Sequence, residues 1–352
     1  MDKTEIIRWL ESSRENEAEL FQKAVYQRNK TVGNTVHLRG LIEISNLCRK
    51  NCLYCGIRKS NTQVKRYELT DREILDSARF AWEQNYGSIV LQGGERTDSR
   101  FILRITRLLK EIKRLSDQQL GITLSLGEQS AETYKRWFEA GAHRYLLRIE
   151  TSNPLLYRKI HPVDSLHAFS TRLKSIEDLQ KCGYQTGSGV MTGLPFQTTE
   201  DLASDLLFLK SIDIDMVGMG PYLEHETTPL YAFRHLLPPL TERFRKSLRM
   251  VACLRLLMPD INIAATTALQ AIDPLGREKA LAAGANIVMP NITPETNRGN
   301  YKLYPNKPLS EEGAETALRQ FARRCETYGC RINFNEWGDS RHWGNKQEAA
   351  AP

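Results

Sequence analysis

No apolar run in this chain approaches the length of a membrane span, and no internal repeat or low-complexity tract appears. The opening, MDKTEIIRWLESSRENEAEL, is charged throughout and lacks the apolar centre of a secretory signal, so a cytoplasmic protein is expected. There is also no framework of paired cysteines. Of seven cysteines, three crowd into residues 48–55, while Cys182, Cys253, Cys325 and Cys330 follow no regular spacing. That argues against a disulfide scaffold and for a reducing compartment. Blocks of one charge are missing too. The net charge is +7, but lysines and arginines are interleaved with acids, as on a solvated surface with a few arginines facing an anionic substrate.

What is present is length and alternation. With 352 residues, 41% of them hydrophobic, the chain can bury a full core. Residues 4–29 have helical periodicity through Ile6, Leu10, Leu20 and Ala24. Short β-branched runs then alternate with amphipathic stretches, the pattern of repeated βα units. Eight strand candidates cover 41–45, 88–92, 122–126, 144–150, 187–191, 216–221, 261–266 and 286–290, and helix 71–84 opens with the capping pattern Thr70-x-x-Glu73. The expected fold is α/β, a complete (βα)8 barrel over residues 37–305. A helical segment, 1–36, leads in; a C-terminal helical extension and polar tail, 306–352, follows, fraying from Gly338 onward.

Such a barrel places its chemistry at the C-terminal ends of its strands. Unusual polar and glycine residues collect there: Gln92-Gly93-Gly94-Glu95, Ser125-Leu126-Gly127-Glu128, Arg148-Ile149-Glu150-Thr151, Met191-Thr192-Gly193-Leu194-Pro195, Gly218-Met219-Gly220-Pro221 and Ala265-Thr266-Thr267. The first strand runs into Cys48, Cys52 and Cys55, spaced C-x3-C-x2-C. Three thiolates on one short loop would leave one iron of a four-iron cluster open, whereas a structural zinc would need a distant fourth ligand. Arg49, Lys50 and Arg58 favour the anionic sulfurs electrostatically. Glu150 and Arg172 could receive an ammonium and a carboxylate. Strand alternation would instead pair Arg148 with Glu150 on one face. His143, His161 and His225 lack metal-ligand spacing and read as ordinary polar residues, and Met216 and Met219 read as core.

With Tyr54 before the last cysteine and Gly56 after it, the loop resembles that of the radical S-adenosylmethionine (SAM) superfamily. The resemblance implies one 4Fe–4S cluster on Cys48, Cys52 and Cys55, whose open iron chelates SAM and drives its reductive cleavage to a 5′-deoxyadenosyl radical. It also implies SAM contacts from Gly93, Gly94, Glu95, Ser125, Glu128, Glu150, Arg172 and Met191. The runs CRKNCLYCGIR, KRYELT, IVLQGGE, TLSLGE, HRYLLRIETSNP, MTGLP, DLLFLKSIDIDMVGMGPY, ATTALQ and GANIVMPNITP are similar to the iron-iron hydrogenase maturation family HydE, a relative of biotin synthase and methylornithine synthase. This second resemblance implies a cavity lined by Gln92, Met216, Thr266 and Thr267, with Arg148, Tyr301 and Tyr304 as catalytic residues. The substrate would be a cysteine-bearing iron carbonyl cyanide complex used in H-cluster assembly. The implied partners are other maturases and an electron donor, in transient contact, with neither nucleic acid nor membrane.

Departures from the family bear on this reading. The positions of an accessory cluster match Leu309, Ala317 and Gln320, so no such cluster is expected, and Cys325 and Cys330 are out of register for one. Ile149 and Gly93 replace a histidine and a serine found in some members, which could alter substrate contacts. Biotin synthase would need cysteines on the barrel strands, and the fourth and fifth strands, RYLLRIE and GSGVM, have none. The alternatives are a HydE-like paralogue acting on another thioether or amino-acid-derived substrate, a biotin synthase-like or methylornithine synthase-like enzyme, and a metal-binding, RNA-associated module.

Overall fold

Eight parallel strands close on themselves in a computed structural model that describes residues 1–305, 307 and 314–350. They are β1 (Thr35–Ser45), β2 (Ser88–Gly93), β3 (Gly121–Ser125), β4 (Arg144–Leu146), β5 (Gln185–Ser188), β7 (Met216–Pro221), β8 (Asn262–Ala265) and β9 (Ile287–Val288), with a two-residue β6 (Met191–Thr192) flanking β7. Each pairs with the next, and β1 pairs with β9 at His37–Ile287 and Leu38–Val288 to seal the barrel. All eight strand candidates lie on barrel strands. The fourth is the most shortened: β4 stops at Leu146, and Glu150 turns the chain with φ +67°. Ile42, Ile44, Ile89, Leu91, Ile122 and Leu124 are buried because their strands carry helices outside and side chains inside.

Helix Asp71–Glu83 begins with the full capping box of Thr70 and Glu73 and buries Ile74, Ala78 and Ala81. The N-terminal segment is two helices, Lys3–Leu10 and Arg14–Thr31, rather than one. The second is fastened to the barrel wall through buried Arg28, which donates to the Leu281 carbonyl at 2.7 Å, and through Glu17, which pairs with Arg249 at 2.8 Å.

The tail does not fray through residue 350, which corrects the expectation for Gly338 onward. Strand β10 (Arg331–Asn333) pairs with the start of β1, and the chain then crosses the barrel floor. Polar groups buried at the strand starts need partners there. The Gly338 carbonyl accepts from Arg39 (3.1 Å) and Asn262 (2.9 Å), Asp339 meets Arg144 at 2.5 Å, and the Ser340 amide donates to Gln185 at 2.9 Å. Helix Arg341–Ala350 is then tied down by His342 to Asp213 (2.6 Å) and Lys346 to Asp215 (2.5 Å). The tail's polarity serves the floor of the barrel.

Replacing Asp339 by Ala would leave fully buried Arg144 without its carboxylate, and a cost of about 3 kcal/mol in unfolding free energy is expected. Urea denaturation measures it, and a loss below about 0.5 kcal/mol would contradict the role given to the tail.

Candidate active site

Between Asn46 and Tyr67 the chain carries no helix or ladder, so its peptide groups depend on side chains. Arg66 supplies most of them. Its guanidinium donates to the carbonyls of Asn46 (2.7 Å), Ile57 (2.8 Å), Arg58 (2.6 Å) and Asn61 (3.0 Å), drawing the loop around one cation. Asn61 donates to the Gly56 carbonyl at 2.6 Å, and Asn46 ties the loop to the carbonyls of Lys65 and Asn300. Gly56 is obligatory for packing: a Cβ there would lie 2.1 Å from the Lys302 carbonyl, while its amide donates to Leu303 at 3.0 Å. The Asn51 amide donates to His167 Nε2 at 2.9 Å.

The three cysteines stand on this loop as free thiols. Burial pushes all three up, Cys52 to about 12 and Cys55 well above the ordinary range, and charge on one sulfur raises the others. Without a metal they remain protonated. Among the described residues no three His, Cys, Asp or Glu side chains are arranged around a single ion. A cluster, which spreads its sulfur ligands over separate irons, suits them. The end of the second strand packs closely against the loop. A Cβ on Gly94 would sit 2.3 Å from the Leu47 carbonyl and 2.7 Å from Cys48 Cβ, and the Glu95 amide points at Cys48 Sγ at 3.3 Å.

Beside the loop lies a layer of charged side chains. Arg172, buried in the first turn of helix Phe169–Lys181, donates to Glu128 Oε1 at 2.6 Å and to the Arg148 carbonyl. Glu150 faces Arg148 instead, at 3.0 Å, the arrangement given by the alternation argument, although here it arises from the turn at Glu150. The angle makes this an ion pair without a hydrogen bond, leaving Glu150 Oε2 free to accept; Arg148 Nε and the Tyr157 hydroxyl are likewise buried and unbonded. Lys50 bridges Glu128 (2.6 Å) and Glu95 (3.7 Å). The Glu95 carboxylate accepts from the Glu128 amide at 2.8 Å, so it braces the third strand's loop. Gly127, with φ +78°, permits this, since a Cβ there would meet that carboxylate at 2.5 Å.

Of the expected cavity residues, Gln92 contacts the Tyr301 hydroxyl at 3.4 Å and Thr267 the Tyr304 hydroxyl at 2.9 Å, so the phenols are joined to the mouths of β2 and β8. Thr266 donates to the Met219 carbonyl, and Ser125, half-buried, sits beside Gln92 in the sheet. Met191 packs with Leu53 and Tyr54. Met216 stands apart: it accepts from Arg39 at 3.0 Å deep in the barrel, beside a small void of about 20 Å³. Ile149 is fully buried in the core, and a Cβ at Gly93 would lie only 3.2 Å from Ile44, so neither position opens freely onto a ligand. Leu309 lies outside the described residues; 317 and 320 fall on helix Ala314–Thr327, and Cys325 and Cys330 are buried in the core.

Sequence reading missed Arg66, Asn46, Asn61, His167, Asp205 and the pair Glu43–Lys307. Only Glu43 gave a signal, a carboxylate inside the apolar run LIEIS; it is buried, bonded to Lys307 and to Asn291 (3.0 Å) beneath the Tyr301 segment. Asp205 accepts from the Ser152 amide (2.5 Å), the Ser152 hydroxyl (2.6 Å) and Thr151 (3.3 Å), fixing the loop that begins at Glu150.

A closed parallel barrel with a three-cysteine loop at its mouth defines a radical SAM enzyme, and the model of the radical SAM superfamily matches residues 42–209. The chain is 50% identical over 324 residues to the [FeFe] hydrogenase maturase subunit HydE of Thermotoga maritima, covering 92% of this chain and 88% of that one. It therefore belongs to the HydE family of radical SAM enzymes. The 3-methylornithine synthase of Methanosarcina acetivorans is 30% identical over 91% of this chain and 86% of its own. The crystal structure of methylornithine synthase (PylB) superposes with TM-score 0.80 at 25% identity, over 99% of this chain and 96% of that one.

Two measurements test the site. Arg66→Met is expected to halve, at least, the iron retained after anaerobic reconstitution, because about four loop carbonyls lose their donor; retention equal to the parent would contradict the clamp. Burial pushes the Asp205 carboxyl up to about 7 from an ordinary 3.8, outweighing its donors. The folded state thus holds a proton that the unfolded chain releases, and the associated stability, complete below pH 3.8, is lost as pH rises through 7. Asp205→Asn should flatten the fall in urea stability over that window; an unchanged slope would contradict it.

Proposed function

We propose that this chain is a cytoplasmic maturase that holds one 4Fe–4S cluster on Cys48, Cys52 and Cys55. It would cleave SAM and use the resulting radical on a cysteine-bearing iron carbonyl cyanide precursor during iron-iron hydrogenase H-cluster assembly. The observation that carries this is the 50% identity to a HydE across nearly the whole chain, with the cysteine loop and the acceptor and donor groups of Glu150, Arg148 and Arg172 at one barrel mouth. When bound, the cluster supplies an electron to the sulfonium of SAM, releasing methionine and a 5′-deoxyadenosyl radical.

The protein's part is positioning. Glu150, with one oxygen unbonded, suits the ammonium of the methionine end, and Arg172, locked by Glu128, suits its carboxylate. Tyr54 and Met191 offer apolar surface to the nucleoside end. Arg148 would then share its charge between Glu150 and an anionic substrate, while Tyr301 and Tyr304 close the cavity from above and exclude water. Burial holds both phenols above their ordinary range, so they act as neutral donors. Leu309, Ala317 and Gln320 offer no thiolate for an accessory cluster.

Anaerobic reconstitution should give about four irons per chain and reductant-dependent release of 5′-deoxyadenosine, both abolished when the three cysteines are changed to alanine. Supplying the cysteine-bearing iron complex should couple that release to loss of the complex. Cleavage that survives the triple replacement would refute the cluster assignment, and cleavage indifferent to the complex would refute the substrate.

A further inference from the structure

The proposed chemistry consumes an electron that has to arrive from outside the chain, and one exposed surface packs directly against the cysteine loop. Residues 154–163, 191–199 and 227–241 converge there. They bury an apolar cluster of Leu156, Ile160, Met191, Leu194, Tyr222 and Leu230 behind Leu53 and Tyr54. Two backbone hydrogen bonds tie this face to the residue next to Cys52: the Leu53 amide donates to the Ile160 carbonyl at 3.0 Å, and the Leu230 amide to the Leu53 carbonyl at 3.0 Å.

In a chain with 42 acids among 352 residues, these three segments contain no aspartate or glutamate. Their exposed residues include Arg158, Lys159, Arg234 and His235. Interleaved with these cations are aromatics left in solvent. Phe196 is 37% and Phe233 40% exposed, their rings 5.0 Å apart, and Lys159 Nζ sits 4.5 Å from the Phe196 ring. Of the acids at the border, Glu224 pairs with Arg243, Asp164 with His167, Asp201 with Asn153 and Glu242 with Arg249, while Glu200 and Glu226 stand at the edges. Exposed aromatics interleaved with cations, with carboxylates held to the margins, fit a partner whose own surface is acidic.

We infer that this face docks an acidic one-electron carrier protein, which passes one electron to the cluster beside Cys52 and is itself oxidised by one electron. The inference rests on the cluster assignment above. The occupant is a protein because an apolar, cationic surface built from three loops gives area and orientation that a small reductant does not need. Steering by its charge should make delivery steeply dependent on salt.

The test compares SAM cleavage by the reconstituted holoprotein driven by a reduced acidic [2Fe–2S] ferredoxin with cleavage driven by dithionite. The double variant Arg158→Glu/Lys159→Glu, and separately Arg234→Glu, should raise the half-saturating ferredoxin concentration about tenfold or more and weaken its salt dependence. Dithionite-driven cleavage should stay within about twofold, and Lys110→Glu, on helix Ser99–Leu115, should change neither. Unaltered ferredoxin dependence in both variants would overturn the docking face, as would an equal fall with both reductants. Absence of dithionite-driven cleavage in the parent holoprotein would instead overturn the catalytic reading beneath it.

Discussion

A stretch of some twenty residues without regular structure must carry three half-buried thiols at fixed positions, and the rest of the molecule is arranged around that demand. Peptide groups withdrawn from water have to be bonded, and a loop has no ladder to bond them. The Arg66 guanidinium, with its several donors in one plane, answers for the carbonyls. Neighbouring strand ends then supply the remaining partners: Glu95 toward Cys48, Ile160 and Leu230 around Leu53, Leu303 at Gly56. Each of these contacts comes from a different βα unit, so the loop is held only when the barrel is closed.

Both ends of the barrel bury charged and polar groups. At the floor, Arg39, Arg144, Asn262 and Gln185 each bond to the crossing tail, although Arg39 Nε, Arg144 Nη2 and Gln185 Nε2 keep no partner. At the mouth, partners are left incomplete: Glu150 Oε2, Arg148 Nε and the Tyr157 hydroxyl remain buried and unbonded. Unsatisfied polar atoms are costly at either end, and those at the mouth stand beside the cysteine loop. Membership of the HydE family accounts for the location, and the local charges account for the kind of ligand.

Much of the architecture was legible in the chain. Alternating apolar runs gave all eight barrel strands, and the cysteine spacing gave the ligand loop, because periodicity and short-range spacing are local properties. The charge pairs were less legible. Arg172 could be named a functional residue but not assigned to Glu128, 44 positions away. The tail looked frayed because its polarity resembles that of solvated segments; only the buried arginines beneath it turn Gly338 and Asp339 into structural residues.

The chain by itself determined a (βα)8 barrel with three cysteines at one strand end, since both follow from the order of residues along a few turns or strands. Tertiary structure decided which carboxylate answers which cation, that Met216 lies deep beside Arg39, and that segments around Ile160 and Leu230 meet the loop next to Cys52. Those facts depend on contacts between segments tens to hundreds of residues apart, whose electrostatics and burial exist only after the barrel closes.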